Sequence, residues 1–454
     1  MAESWTSSSV DAHLDWTPGS GRTDLAHAIR AAIRDGRWRP DAVVPSTRAL
    51  AADLGVARGT VTRVYADLAA EGYLRTSQGA PTRVATAGAA PLSAPALVRS
   101  SRPRWTLQTG LPDASLFPRD QWLASTRRVL AHTPNDTFGY GEPRGSLVLR
   151  TTLASYLGRS RGVLADPARI VVVAGFAHGL SVLGHALADV GIGEMAFEDP
   201  SLGRFRRFAA ATGQRITSVP VDGDGLVVDR LTSPSVVVTP AHQAPLGVTM
   251  APARRTALAR SGAIVVEDDY DGEFRYDRQQ VGALQALAPE RVVYAGTASK
   301  SLSPSLRLGW LVLPRALVDP VVAALFRGGA HPPLLDQLVL ADLIGSGAYD
   351  RHVRRCRLEY RSRRDRLAAA LPTHLRPTGI AAGLSLYVPL PAAAEAAVPA
   401  AAARHSLAID TVGQHALRTD NPHTGLMIGY GAPSKTSFTG AIDALSAVLR
   451  DVSS

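Results

Sequence analysis

The sequence predicts a multidomain chain. It begins with a mainly α helix-turn-helix module carrying a β wing, continues into a large α/β domain on a mostly parallel sheet, and ends in a smaller α+β C-terminal subdomain. Two patterns carry this. Between residues 23 and 84, apolar positions at helical spacing are broken by glycines and followed by two short strand-like runs. From residue 169 onward, apolar runs such as Ile170-Val171-Val172-Val173, Val236-Val237-Val238 and Val292-Val293-Tyr294 alternate with helical stretches, the rhythm of a sheet covered on both faces. At 454 residues the chain has room for two or three domains, taking ~100–200 residues each.

A hydrophobic content of 46% with 19% charged residues describes a globular chain able to bury large cores. The net charge of +10 suggests an anionic partner. A single cysteine, Cys356, excludes an internal disulfide framework and suits a reducing compartment. The first residues, Met1-Ala2-Glu3-Ser4-Trp5, lack the pattern of a signal peptide, and no uninterrupted apolar run of membrane-spanning length appears. The expectation is a cytoplasmic protein with no membrane partner and no metal.

After an N-terminal extension, 1–22, the first helix starts at Thr23, with Leu25, Ile29, Ala32 and Ile33 on one face, and stops at Gly36. The second is capped by Ser46 or Thr47 and turns at Gly55, with Leu50, Leu54 and Val56 pointing inward. The third runs from Ala57 to Ala70, burying Val61, Val64, Tyr65 and Leu68 and exposing Arg58, Thr60, Thr62 and Arg63. Residues 71–76 and 81–84 pair as a wing around Gln78-Gly79-Ala80. The segments Pro45-Ser46-Thr47-Arg48-Ala49-Leu50-Ala51, Gly55-Val56-Ala57-Arg58-Gly59-Thr60-Val61 and Glu71-Gly72-Tyr73-Leu74 resemble the winged helix-turn-helix of GntR-type regulators. The resemblance implies a double-stranded DNA operator as partner, met by Arg48, Arg58, Arg63 and the wing tip at Gly79, with Thr60 and Thr62 reaching phosphate or base edges. Over residues 45–84 five arginines face only three acids, so placed contacts and dimer symmetry count for more than bulk charge.

Residues 85–103, rich in Ala, Pro and Ser without periodicity, read as a flexible linker. The large domain is expected over 104–318. Ile170–Val173 is a buried strand followed by Gly175 and the opening of a helix at Phe176-Ala177-His178, a turn whose backbone amides can face an anion. Ala263-Ile264-Val265-Val266 runs directly into Glu267-Asp268-Asp269-Tyr270-Asp271, and strands that read into carboxylates end at sites. Lys300 stands in Thr297-Ala298-Ser299-Lys300-Ser301-Leu302, and it is one of only two lysines beside 47 arginines. Arginine stays protonated, whereas a desolvated lysine amine can attack an aldehyde. The second lysine, Lys435, sits in a polar run and reads as a surface residue. The C-terminal subdomain is expected over 319–454, with helices from Leu334 and from Arg351, a strand at Leu384–Val388 and a final helix. The arginines of the Arg351–Leu371 helix read as a solvated or interface face, not as a nucleic-acid site.

Asp268-x-Tyr270 together with Ser299-Lys300-Ser301-Leu302-x-Pro304-x-Leu306-Arg307-Leu308-Gly309 resembles fold-type I pyridoxal 5′-phosphate (PLP) proteins of the aminotransferase kind. That resemblance implies an internal aldimine at Lys300, Asp268 on the pyridine nitrogen, Tyr270 on the ring hydroxyl and Leu202 over the ring. It implies a phosphate held by Thr297, Ser299 and Arg307 and by the backbone of Gly175, Phe176, Ala177 and His178. Three positions depart from working aminotransferases: Ala244 replaces an asparagine, Leu202 a stacking aromatic, and Met427 the arginine that clamps a substrate carboxylate.

The order of the two halves resembles the MocR family of bacterial transcription regulators from Thr23 to Leu449. The expected function is a DNA-binding regulator, working as a head-to-tail homodimer, that senses PLP itself or a small amine or amino acid through Lys300. Control of vitamin B6 or amino-compound metabolism is the expected role. The competing reading is an active PLP-dependent aminotransferase.

Overall fold

The computed structural model describes residues 14–17, 19–77, 80–85, 103–276, 281–329 and 331–453. The chain forms two compact units, Met1–Arg102 and Pro103–Ser454.

In the first unit, α1 (Arg22–Arg34), α2 (Thr47–Leu54) and α3 (Arg58–Ala70) enclose one core. Ser46 caps α2 by accepting the Ala49 amide at 3.1 Å, and Gly55 ends it at φ 66°, the left-handed conformation that glycine adopts without penalty. Leu50 is fully buried while Leu54 and Val56 are half-buried. Trp38, in the turn Arg37-Trp38-Arg39-Pro40 after α1, is wholly buried. Arg30 on α1 holds Glu71 with two hydrogen bonds of 2.7 and 2.6 Å, tying α1 to the end of α3. Strands β1 (Leu74–Ser77) and β2 (Ala80–Val84) pair antiparallel as the wing, with Leu74 opposite Val84.

The second unit opens with β3 (Trp105–Thr106), α4 (Arg119–His132) and α5 (Leu147–Arg161). Its eight-stranded sheet is built from β4 (Ile170–Val173), β5 (Glu194–Asp199), β6 (Arg215–Asp222), β7 (Gly225–Leu226), β8 (Ser235–Val238), β9 (Ile264–Asp268), β10 (Val292–Thr297) and β11 (Gly309–Val312). Their order is β4-β11-β10-β9-β8-β5-β6-β7. Strands β10, β9, β8, β5 and β6 run parallel, whereas β11 is antiparallel to both of its neighbours. The intervening helices are α6 (Phe176–Asp189), α7 (Gly203–Ala210) and α8 (Pro252–Arg260). Because side chains alternate along a strand, Val171 and Val173 pack with α6 on one face, and Ile170 and Val172 pack with α5 on the other. A sheet covered on both faces reads as continuous apolar runs, and these strands do.

Helices α9 (Val318–Gly328) and α10 (Leu334–Gly345) follow the expected boundary at 318/319, yet they pack against opposite faces of the large sheet. Helix α11 (Ala348–Ala370) then carries the chain from one core to the next. Tyr349 and Val353 lie in the sheet core, while Cys356, Tyr360 and Leu367 lie in a second core. That second core is closed by β12 (Ser385–Pro389), α12 (Ala392–Arg404), β13 (Leu407–Ala408), β14 (Asp410–Thr411), β15 (Gly425–Gly429) and α13 (Phe438–Ser453). It also receives Leu107, and β3 pairs with β13, so the stretch that opens this unit belongs to its C-terminal core. None of the helices among the described residues is long and apolar enough to cross a membrane.

Arg363 of α11 is 1% exposed and meets Asp113 at 2.6 Å, with Pro433 O accepting a further bond at 2.6 Å. Asp113 also donates its amide to the Tyr360 hydroxyl. Removing one member of such a pair strands a buried charge. Arg363→Ala should therefore destabilise the second unit by ~3–5 kcal/mol, read as a lowered urea midpoint with an unchanged slope.

Candidate functional site

A cavity of about 360 Å³ opens where the parallel strands end at their carboxyl edge. Lys300 follows β10 and Asp268 ends β9, and these strands are direct neighbours paired at Ala295 and Asp268. Gly175, Phe176, Ala177, Leu202, Asp268, Tyr270, Thr297, Ser299, Lys300 and Arg307 all line this cavity. The sequence scattered them over some 130 positions, and the sheet brings them together. His178 does not line it: its Nδ1 accepts the Ala174 amide at 3.0 Å, so the ring turns back onto the loop before α6. Burial, with Arg307 beside it, lowers the His178 pKa and keeps the ring neutral.

The Lys300 amine donates to Gly110 O at 2.5 Å. Desolvation first, and then the positive charge of Arg204, push it down to about 8, against the opposing pull of Asp268 and Asp271. Burial drives Asp268 up to about 8 although Lys300 draws it the other way. Burial thus weakens the charged form of both groups, although each favours the charge of the other. A cationic ring nitrogen beside Asp268 would restore its carboxylate form.

The same cavity holds an anion cradle. Gly175 takes φ 88° just before α6, and a Cβ there would point at the Arg307 guanidinium, 3.9 Å away. Arg307 itself adopts a left-handed backbone at φ 52°, which costs a non-glycine residue of the order of 1 kcal/mol and persists where the surroundings dictate it. Thr297 and Ser299 share a hydroxyl hydrogen bond of 2.9 Å beside it. A guanidinium fork, two hydroxyls and the amides that open α6 are the donors a phosphate takes. With the amine and the acid they fit a cofactor that carries an aldehyde, a basic ring nitrogen and a phosphate.

Tyr270 lies against His242, whose ring is 6.2 Å away by centroid and tilted by 30°. His242 Nδ1 is 2.8 Å from Asp271, which fixes the imidazole. The Tyr270 hydroxyl donates to His242 O at 3.3 Å.

Met427, which also lines the cavity, is buried and packs in one apolar cluster with Val221, Leu246, Tyr387 and Val412, against which Leu202 also rests. Two of the three departures from aminotransferases are therefore one event, an apolar surface where an enzyme places a ring and a cation. Ala244 lines the same cavity.

Sequence reading missed Glu198 and Arg204. Glu198 Oε2 accepts from Thr239 N at 3.0 Å and Thr239 Oγ1 at 2.7 Å, its Oε1 has no hydrogen-bond partner among the described residues, and burial raises its pKa to about 7. Arg204 lies at the cavity mouth, its guanidinium 4.9 Å over the Phe205 ring, and it makes no ion pair among the described residues. A Cβ on Gly110 would find Lys300 Nζ at 3.4 Å and Arg204 at 3.6 Å, so both cations approach the same carbonyl segment. Nothing in the run Arg204-Phe205-Arg206-Arg207 marks the first arginine out.

On the reader, Arg48, Arg58, Thr62 and Arg63 are exposed and Thr60 is half-buried. Arg58 Nε reaches Thr47 Oγ1 at 3.5 Å, and Thr62 donates to Arg58 O at 3.0 Å. In the wing, Arg75 pairs with Asp41 at 3.0 Å and Arg83 donates to Asp41 O at 2.6 Å. Gly79 lies outside the described residues.

Comparison with known proteins bears on both units. Residues 22–84 match the family of bacterial regulatory proteins of the gntR type, and residues 108–420 match the class I and II aminotransferases. The chain is 35% identical over 381 residues to the probable rhizopine catabolism regulatory protein MocR of Rhizobium meliloti, covering 77% of each. It belongs to the MocR-type transcription regulators. The pyridoxine biosynthesis regulator PdxR of Corynebacterium glutamicum is 34% identical over 382 residues, covering 79% of this chain and 82% of that one. An archaeal alanine:glyoxylate aminotransferase superposes with a TM-score of 0.70 at 24% identity, over 76% of this chain and 91% of its own, which shows the shared fold. This regulator thus couples a GntR-type DNA reader to an aminotransferase-like domain.

The chain's two lysines make the state of the site measurable. Acylation by an amine-selective reagent, read on the Lys300 peptide by mass spectrometry with the exposed Lys435 as internal reference, should reach half-maximal rate near pH 8. Arg204→Ala removes a cation that disfavours the ammonium form, so it should move that midpoint to higher pH.

Proposed function

We propose that this MocR-type regulator binds PLP in the cavity at Lys300, and that occupancy of the cavity by PLP, or by a small amine presented to it, changes how a homodimer of the protein holds its DNA operator in the cytoplasm. What carries the reading is a contrast within one cavity. The amine, the acid and the anion cradle are all present, while the positions that would grip a substrate are apolar, Leu202 and Met427.

When bound, PLP supplies an aldehyde and an electron-withdrawing ring. The residues here do the rest. Lys300 offers an amine whose pKa of about 8 leaves a larger free-amine fraction near neutral pH than an ordinary lysine has; Asp268 would face the ring nitrogen, Tyr270 with its His242 support would take the ring hydroxyl, and Arg307, Thr297 and Ser299 would hold the phosphate. Loss of the carboxylate clamp at Met427 removes the orientation that turnover of an amino acid needs, which favours sensing over catalysis. Arg204 supports an amine effector that also carries an acid group, because it lines the cavity close enough to Lys300 to lower its pKa and makes no ion pair among the described residues. The dimer is supported by apolar side chains left exposed within residues 123–148: Leu123, Leu130, Phe138, Leu147, Val148 and a fully exposed Tyr140. Arg48, Arg58, Thr60, Thr62 and Arg63, with the wing, are the DNA contacts of this reading.

Adding PLP should produce a visible absorption band that Lys300→Ala lacks. The operator affinity of the parent should change with PLP or amine, and that of Lys300→Ala should not. Equal operator affinity for both proteins under all conditions would end the sensing proposal, and turnover of an amino acid and a keto acid at ~1 per second or faster would replace it with the enzyme reading. Arg204→Ala should keep the band yet weaken the response to acidic amines about tenfold or more, the cost of a charge-assisted hydrogen bond.

A further inference from the structure

The chain's positive charge is not concentrated on its reader. Residues 22–84 hold ten arginines against six acids, a net +4 over 63 residues. Helix α11 holds eight arginines against three acids, so 23 residues carry +5, half of the chain's +10. Of these arginines, Arg363 is buried against Asp113, Arg357 donates to Glu273 O, and Arg364 meets Asp365. Arg351, Arg354, Arg355 and Arg361 are exposed and form no ion pair among the described residues. Arg351 and Arg355 make only contacts to Ser346 O at 3.4 Å and to His352 at 3.2 Å.

Helical geometry puts these four on one face. At 100° per residue they fall within an arc of about 120°, centred near Leu358, and they extend along about 15 Å of helix. The face is opposite the side that buries Val353, Cys356, Tyr360 and Leu367. Leu358 is itself 71% exposed, so no other part of this unit covers the stripe. Four cations with no internal carboxylate partner cost free energy through their mutual repulsion, and a helix that served only to bridge two cores would not need them.

Against the sequence expectation of a merely solvated or interface face, we propose that this exposed face of α11 is a second docking surface for the DNA backbone, engaging phosphates in addition to those held by the winged helix. The proposal rests on the reading of the protein as a DNA-binding regulator and extends the binding surface to the aminotransferase-like domain. The chemistry matches: duplex DNA offers about one negative charge per 1.7 Å of axis, and guanidinium forks take phosphate oxygens bidentately. Such contacts add affinity without sequence preference, which complements a reader whose residues 45–84 net only two positive charges. A chain that places half its net charge on one helix of the effector domain would bind DNA through both modules, and a change in that domain would then alter DNA contact directly.

The test uses the full-length protein, a random-sequence duplex of about 60 base pairs, and the variant Arg351→Gln/Arg354→Gln/Arg355→Gln/Arg361→Gln. Each phosphate contact contributes about 0.9 to the slope of log affinity against log salt. The variant should therefore lose roughly two to four units of that slope and at least about tenfold in low-salt affinity. The matching four-lysine variant should retain both, since it keeps the charge. Circular dichroism and sedimentation must match the parent. Unchanged slope and affinity in a folded variant would overturn the proposal while leaving the regulator reading intact. A changed oligomeric mass would assign the face to contact between copies and overturn it equally. A parent that binds no duplex would sink both readings.

Discussion

The active end of this molecule depends on a constraint of parallel sheets: neighbouring strands deliver the residues that follow them to the same edge. Strands β9 and β10 are such neighbours, and they set Asp268 and Lys300 in one cavity. In water both would be charged and far from reactive. Here burial works on the two in opposite directions, lifting the acid to about 8 and lowering the amine to about 8. Arg204 reinforces the second effect, because a cation near an ammonium favours loss of its proton. The cavity is thus prepared for a ligand that brings its own charges, and the anion cradle at Arg307 faces the charge such a ligand would carry.

The same cavity explains how a fold shared with enzymes comes to serve a regulator. Catalysis requires differential grip on the reacting atoms, and the resemblance to aminotransferases puts a carboxylate-gripping arginine at the position of Met427. That position here belongs to one apolar cluster in which Met427, Leu202, Leu246 and Tyr387 support each other. Restoring an arginine at 427 alone would bury a cation among these side chains without a partner, at a cost of several kcal/mol. The departure is therefore cooperative, and a single reversion would be expected to harm the fold before it helped chemistry.

Much of this was legible in the chain. Lys300 stood out because arginine replaces lysine almost everywhere else, and Asp268 because an apolar strand ran into acids. The helix-turn-helix was legible because its glycines and caps are local signals. What stayed hidden depends on long-range packing. The burial of Trp38 carries no local signal, since arginines flank it on both sides. The antiparallel strand β11 was submerged in the lysine motif, and α9 and α10 read as the start of a new subdomain although they cover the large sheet. Arg204 and Glu198 became visible only when the cavity did, because an arginine among arginines and an acid before Asp199 carry no local distinction.

The path from the cavity to the start of this unit is short. Gly110, whose carbonyl accepts the Lys300 amine, lies seven residues beyond Pro103, and the stretch between is held at every step. Strand β3 pairs with β13, Leu107 exchanges backbone bonds with Ala408 and Gly429, and Thr109 donates twice to Asp410 at 3.0 and 2.9 Å. Beyond Gly110, Asp113 is locked to Arg363 of α11. The lysine amine therefore bonds to the same continuous segment that joins the C-terminal core to the long helix. A ligand that competes for that amine competes with Gly110, and the first backbone to feel the exchange is this segment at the start of the second unit.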